Sequence, residues 1–214
     1  MSPSGPSLPG AARRRRAGRV LAAATAAFVL LALTACGGSS DDGKDTGPSA
    51  GGGTLNLSMI GSPPTQAAAG TGWGATALFT QIPYDSLLRE ELDGTIGPNL
   101  ATDWAYDDTK TTLTLTLREG VTFTDGGKVD AAAVAANLTR VRTFPSEAAA
   151  AAANIASVKA VDARTVKVVL SEPDPALLVR LAQNIGAVES PKHFDAADEK
   201  TRPVGSGPYV LDVA

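Results

Sequence analysis

Cysteine and histidine are nearly absent from this sequence. Cys36 is the single cysteine and His193 the single histidine among 214 residues. One thiol cannot close an intramolecular disulfide, and it supplies no thiolate metal site. His193 stands in a polar segment without a second ligand type at metal spacing, so a solvated surface position is expected for it. A Ser-His-Asp triad would have to use that histidine, yet no Gly-x-Ser-x-Gly elbow occurs. Phosphate-binding and EF-hand loops are missing too, and Gly70-Thr71-Gly72-Trp73-Gly74 has the wrong spacing for a dinucleotide loop. Aspartates and glutamates fall at turns, as solvated acids do, and no pair can be placed across a cleft. Neither catalysis, nor a metal, nor an organic cofactor is expected.

Positive charge is scarce wherever it could form a binding face. Arg13 to Arg16 and Arg19 are five of the 19 cationic residues, and they precede Cys36, whereas all 22 acids follow it. The remainder therefore carries 14 positive against 22 negative charges, a net of −8. Such a balance excludes nucleic acid as the expected partner. Long apolar runs are also lacking. Val20 to Leu33 is too short for a comfortable membrane-spanning helix of about 20 residues, and with the arginines before it reads as a secretory signal. Leu33-Thr34-Ala35-Cys36 has the form of a bacterial lipobox, in which the cysteine is diacylated and becomes the mature N-terminus. Residues 1–35 are thus expected to be a lipoprotein signal peptide, and Cys36 the site of lipidation. Two or more acyl chains on one cysteine give stable attachment where a single chain would be marginal. Residues 36–53 are almost wholly glycine, serine and aspartate, a composition that reads as a flexible tether.

After the tether the sequence is patterned. Thr54 to Ile60 alternates like a first strand and stops at Gly61-Ser62-Pro63-Pro64. Ala75 to Thr80 predicts a short helix ended by Pro83. Leu87 to Leu92 reads as a strand with a hairpin turn at Asp93-Gly94. Trp104 and Tyr106 bracket a further strand, with Trp104 expected in the core. The clearest unit runs from Leu113 to Val141. Leu113, Leu115 and Leu117 alternate with threonines, Val121-Thr122-Phe123 resumes the alternation, and Asp125-Gly126-Gly127 turns the chain. Asp130 is placed to cap a helix whose apolar stripe is Val134, Leu138 and Val141. Ser146 to Ala153 predicts a polyalanine helix capped by Ser146. Val158–Val161 and Thr165–Leu170 form a hairpin pattern. Asp174 and Pro175 should open a helix buried through Leu177, Leu178 and Leu181. Gly186 to Glu189 is a candidate returning strand.

Several of these residues carry a resemblance. The run from Leu117 to Gly126, Leu-Arg-Glu-Gly-Val-Thr-Phe-Thr-Asp-Gly, is similar to the signature region of the family 5 extracellular solute-binding proteins. Upstream, Tyr84-Asp85-Ser86-Leu87-Leu88 and Pro98-Asn99-Leu100-Ala101-Thr102-Asp103-Trp104 resemble that family's approach to the signature. Downstream, Pro203-Val204-Gly205-Ser206-Gly207-Pro208-Tyr209 is similar to its Gly-Thr-Gly-Pro-Tyr turn, with Ser206 in place of threonine. Order and spacing agree from about Thr54 onward.

The resemblance implies an α/β chain with a periplasmic-binding-protein-like fold, type II and cluster C-like. Its first lobe would comprise residues 54–86 and 184–214, with a small α/β domain inserted at 87–183 and the second lobe missing. It implies a substrate-binding lipoprotein of an ABC importer, on the extracytoplasmic face of the cytoplasmic membrane. Its expected partners are a peptide or other small solute, the permease subunits and the membrane through the lipid; it is expected to be a monomer. The loop after the first strand borders the ligand cleft in that family, which makes Ser62, Pro63 and Pro64 the expected ligand-binding residues. The alternative is a truncated or non-transporting lipid-anchored interaction protein. A lone lobe would leave one side of a ligand in water, so weak binding is expected of it.

Overall fold

The computed structural model describes residues 63–211 together with Asn56 and Gly61. Cys36, the signal segment, the tether, Ser62, most of the strand expected over Thr54–Ile60 and the last three residues lie outside the described set.

A four-stranded antiparallel sheet forms the centre, built from β3 (Ala101–Tyr106), β4 (Thr112–Leu117), β5 (Ile155–Ala160) and β6 (Thr165–Leu170). The strand order is β3-β4-β6-β5. Register places Trp104, Leu115, Val166 and Ala160 in one cross-strand row, and Tyr106, Leu113, Val168 and Val158 in another. Because side chains alternate, both rows share the buried face, while Thr112, Thr114, Thr116 and Lys167 share the outer one. Trp104 is half-buried against the core, as expected.

The inner face is covered by α2 (Ala131–Thr143), which packs on β5 and β6 through buried Val134, Leu138 and Val141. Both ends of this helix are written in the sequence. The Asp130 carboxylate accepts from the Ala133 amide at 2.9 Å, satisfying a first-turn donor. Arg140 and Arg142 lie in the last turn, where positive charge complements the helix dipole. Phe144 precedes Pro145 and is driven to an extended conformation (φ −71°, ψ 134°), which stops the helix.

Besides four single-turn 3-10 helices, the described chain holds three smaller α-helices and a hairpin. They are α1 (Ala77–Gln81), α3 (Glu147–Ala151), α4 (Leu177–Ala182) and the pair β1 (Leu88–Glu90) and β2 (Ile96–Pro98). Gly94 takes a φ of 83° in the hairpin turn, a conformation that favours glycine.

Four local expectations are corrected. Val121–Phe123 is not a strand: Thr122 makes a single bridge to Lys128, and the Val129 and Phe123 amides close a tight loop onto Val121 and Gly127 carbonyls. Ser146 precedes α3 but makes no side-chain cap; its hydroxyl instead donates to the Ala69 carbonyl at 2.8 Å. The helix after Pro175 begins at Leu177, because the Asp174 carboxylate accepts from the Ala176 amide at 3.0 Å in a turn and pairs with Arg180. Gly186–Glu189 does not form a strand; Ala187 bridges Ser86 and Glu189 bridges Gly205, each as an isolated pair.

Candidate functional site

The segment Pro83-Tyr84-Asp85-Ser86 lies between two returning stretches of chain. On one side the Val188 amide donates to the Asp85 carbonyl at 3.0 Å and the Leu87 amide to Gly186 at 2.9 Å. On the other, the Gly207 amide donates to the Pro83 carbonyl at 3.0 Å and the Ser206 hydroxyl to Asp85 Oδ2 at 3.0 Å. Glycine is required here by close approach. A Cβ on Gly205 would sit 2.1 Å from the Pro83 oxygen, and one on Gly207 would sit 2.5 Å from the Pro83 carbonyl carbon. The Gly-Ser-Gly turn therefore clamps the Tyr-Asp segment.

Beside this clamp opens a cleft of about 490 Å³ whose lining includes Trp73, Thr80, Tyr84, Asp85, Glu90 and Asn99. The Asn99 side chain donates to the Ser86 carbonyl at 2.9 Å and holds the rim of the hairpin in place. A neighbouring cleft of about 430 Å³ includes Pro64, Trp73, Phe144 and Glu147 in its walls. Trp73 belongs to both.

Under the first cleft lies a buried polar cluster that the sequence did not announce. Glu189 is fully buried and Glu199 nearly so. Arg140 donates to both Glu199 carboxylate oxygens at 2.7 and 3.0 Å, and its guanidinium stacks over Phe194. Among the described residues Glu189 makes no ion pair, and the Arg140 charge only partly offsets its burial. Burial pushes the Glu189 carboxyl up to about 8, with the Glu199 charge adding to the rise and the Ala68 amide opposing it. It is accordingly a neutral acid near pH 7, accepting from the Ala68 amide at 3.0 Å. Burial likewise pushes the Tyr84 hydroxyl above the usual phenol range, helped by the two carboxylates. Tyr84 donates to the Gln66 carbonyl at 2.7 Å.

Two expectations about polar residues are corrected by this geometry. The acids are not all solvated turn residues: Glu189, Glu199 and Asp174 are buried. Glu189 follows an apolar stretch from Ile185 to Val188, which was the available signal. His193 is not a solvated residue either; its side chain is 13% exposed and its Nε2 lies 2.8 Å from the Arg202 carbonyl oxygen. Of the residues expected to bind ligand, Pro63 is half-buried, Pro64 is exposed and lines the second cleft, and Ser62 is outside the described set. Among the described residues, no three His, Cys, Asp or Glu side chains are grouped to hold a metal ion.

Residues 95–213 match the model of the bacterial extracellular solute-binding proteins, family 5 Middle. The chain belongs to this family. The glutathione-binding protein GsiB of Salmonella paratyphi A is 37% identical over 133 residues, covering 60% of this chain and 26% of the relative. An ABC transporter substrate-binding protein from Sinorhizobium meliloti shares the fold at TM-score 0.62 and 34% identity, over 71% of this chain and 32% of that one. NikA from Brucella suis, solved in complex with Fe(III)-EDTA, matches at TM-score 0.61 and 28% identity, over 72% of this chain and 32% of NikA. The chain thus has the α/β fold of the family's first part. It spans about a quarter of the length of the curated relatives it matches.

Proposed function

We propose that this chain works as the substrate-binding lipoprotein of an ABC importer. It captures a peptide or related small solute outside the cytoplasmic membrane and passes it to the permease subunits. The observation that carries this reading is the family match over residues 95–213, which includes the Gly-Ser-Gly turn of the clamp, with a polar cleft opening beside that clamp. Concave sites with a few convergent polar groups are where small molecules bind.

The same reading assigns residues 54–86 and 184–214 to one lobe and 87–183 to an inserted domain. Support comes from the crossing points, where Ser86 bridges Ala187 and the chain leaves and returns side by side. Ser62, Pro63 and Pro64 border the solute in this account, supported by the place of Pro64 on the second cleft. Cys36 carries the lipid that holds a monomeric receptor on the extracytoplasmic face, supported by its lipobox setting.

Transport assays test the proposal. Deletion of the gene should abolish uptake of one class of peptide or small solute, with restoration by the intact gene. Undiminished uptake of every peptide, amino acid and metal chelate tried would refute it.

A further inference from the structure

The backbone from Gln66 to Thr71 is fastened by side chains and not by a sheet. The Tyr84 hydroxyl donates to the Gln66 carbonyl at 2.7 Å, the Ser146 hydroxyl to Ala69 at 2.8 Å and the Asn184 amide to Thr71 at 2.9 Å. The fourth fastening runs the other way, from the Ala68 amide to Glu189 Oε2 at 3.0 Å. Two residues beyond this strap stands the exposed Trp73, which belongs to the wall of both clefts. What holds the strap therefore sets that wall.

Of the four fastening side chains only Tyr84 and Glu189 can titrate, and each is a hydrogen-bond partner of the other. A phenol has one hydrogen to give. Tyr84 has two acceptors in reach, the Gln66 carbonyl and the Glu189 carboxyl, and it gives its hydrogen to Gln66. Glu189 Oε2 is occupied by the Ala68 amide, whereas the buried Oε1 has no partner among the described residues. An ionised carboxylate in that position would claim the hydroxyl, because hydrogen bonds to a charged acceptor are about twice as strong as neutral ones. Service of the carbonyl instead fits a neutral acid. The other charged groups that act on Glu189 are Arg140 of α2 and Glu199, and these pair with each other.

We propose that Tyr84 and Glu189 form a proton-operated catch on the cleft wall. With the carboxyl neutral, the Tyr84 hydroxyl holds the Gln66 carbonyl and the strap stays down. When the proton passes to solvent, the hydroxyl turns to the carboxylate, the Gln66 carbonyl loses its partner, and the strap that leads to Trp73 loosens. A buried carbonyl cannot stay unpaired cheaply, so the backbone moves to find a new donor. The inference goes beyond solute capture and does not depend on it.

The test uses the purified protein labelled with ¹⁵N, in which two tryptophans give two indole N–H signals and Trp73→Phe assigns one of them by its loss. Between pH 6 and pH 9.5 the Trp73 signal should follow a one-proton curve with a midpoint near about 8, while the Trp104 signal stays in place. A charge felt only through space would move the indole signal without loosening the strap, so hydrogen exchange is the second readout. Protection of the Gly70 and Thr71 amides, corrected for the intrinsic rate, should fall by about tenfold or more from pH 7 to pH 9 as the segment opens locally, and that of Leu115 and Val168 in the sheet should not. Glu189→Gln should hold the strap protected across the range. Tyr84→Phe should leave it loose already at pH 6. A strap whose protection is unchanged by pH would overturn the catch and leave solute capture standing. So would a transition that survives Glu189→Gln, protection at pH 6 that ignores Tyr84→Phe, or an equal loss of protection in strap and sheet.

Discussion

Asn137 and Glu189 are joined twice. The Asn137 side-chain amide donates to the Glu189 carbonyl at 2.7 Å, and the Glu189 amide donates to Asn137 Oδ1 at 3.0 Å. A side chain on α2 thereby plays the part of a neighbouring strand for a segment that has no sheet partner on that side. Asn137→Leu keeps the volume but strands two buried backbone groups. It should cost about 2–4 kcal/mol, read as a lower urea midpoint with an unchanged slope.

The protonated state of Glu189 gives a pH dependence of definite sign. Its carboxyl titrates at about 8 in the folded protein against 4.5 for the free group. Between those values the folded chain holds a proton that the unfolded chain has released. Stability from this group is therefore complete below about pH 4.5 and is lost as pH rises toward 8. Glu189→Gln should flatten that decline and gain at pH 8 by a few kcal/mol, at about 1.4 kcal/mol per pH unit of the window. Melting curves of both proteins from pH 5 to pH 9 check it; parallel curves would show that the carboxyl does not titrate there.

Gly205→Ala pushes a methyl into the Pro83 carbonyl, which has no room to give. A loss of about 1–3 kcal/mol is expected, with larger losses if the clamp opens. Gly61→Ala meets no atom within 4 Å and should stay within about 0.5 kcal/mol of the parent. Equal effects of the two substitutions on denaturant midpoints would contradict the close-packing account of the Gly-Ser-Gly turn.

Cys36→Ser should move the protein from membranes into the soluble fraction and stop incorporation of labelled palmitate. Continued sedimentation with membranes and continued labelling would show that another element holds it there.

Local pattern was enough to read the sheet and its covering helix. Leu113, Leu115 and Leu117 are all buried, Asp130 caps α2, and the Thr165–Leu170 strand pairs with Ile155–Ala160. Each depends on residues close in sequence or on period alone. The Gly-Ser-Gly turn was recognisable as a motif, but its reason was not, because the Pro83 carbonyl that excludes a side chain lies 122 residues upstream of Gly205. Gly186–Glu189 looked like a strand because apolar residues end in a polar one. Its partners are single bridges and an asparagine side chain, which no propensity encodes. The buried acids were hidden for the same reason. Glu199 is buried because Arg140, 59 residues earlier, turns its guanidinium onto it.

Solute capture is tested most directly by equilibrium binding to the purified protein. A thermal-shift screen against di-, tri- and oligopeptides and nickel–histidine should reveal at least one stabilising class. A solute at about 100 times its Kd adds about 2.7 kcal/mol to stability, a readily visible rise in melting temperature. Calorimetry on that class should then return saturable binding. A flat response to every peptide, amine and chelate would contradict the account.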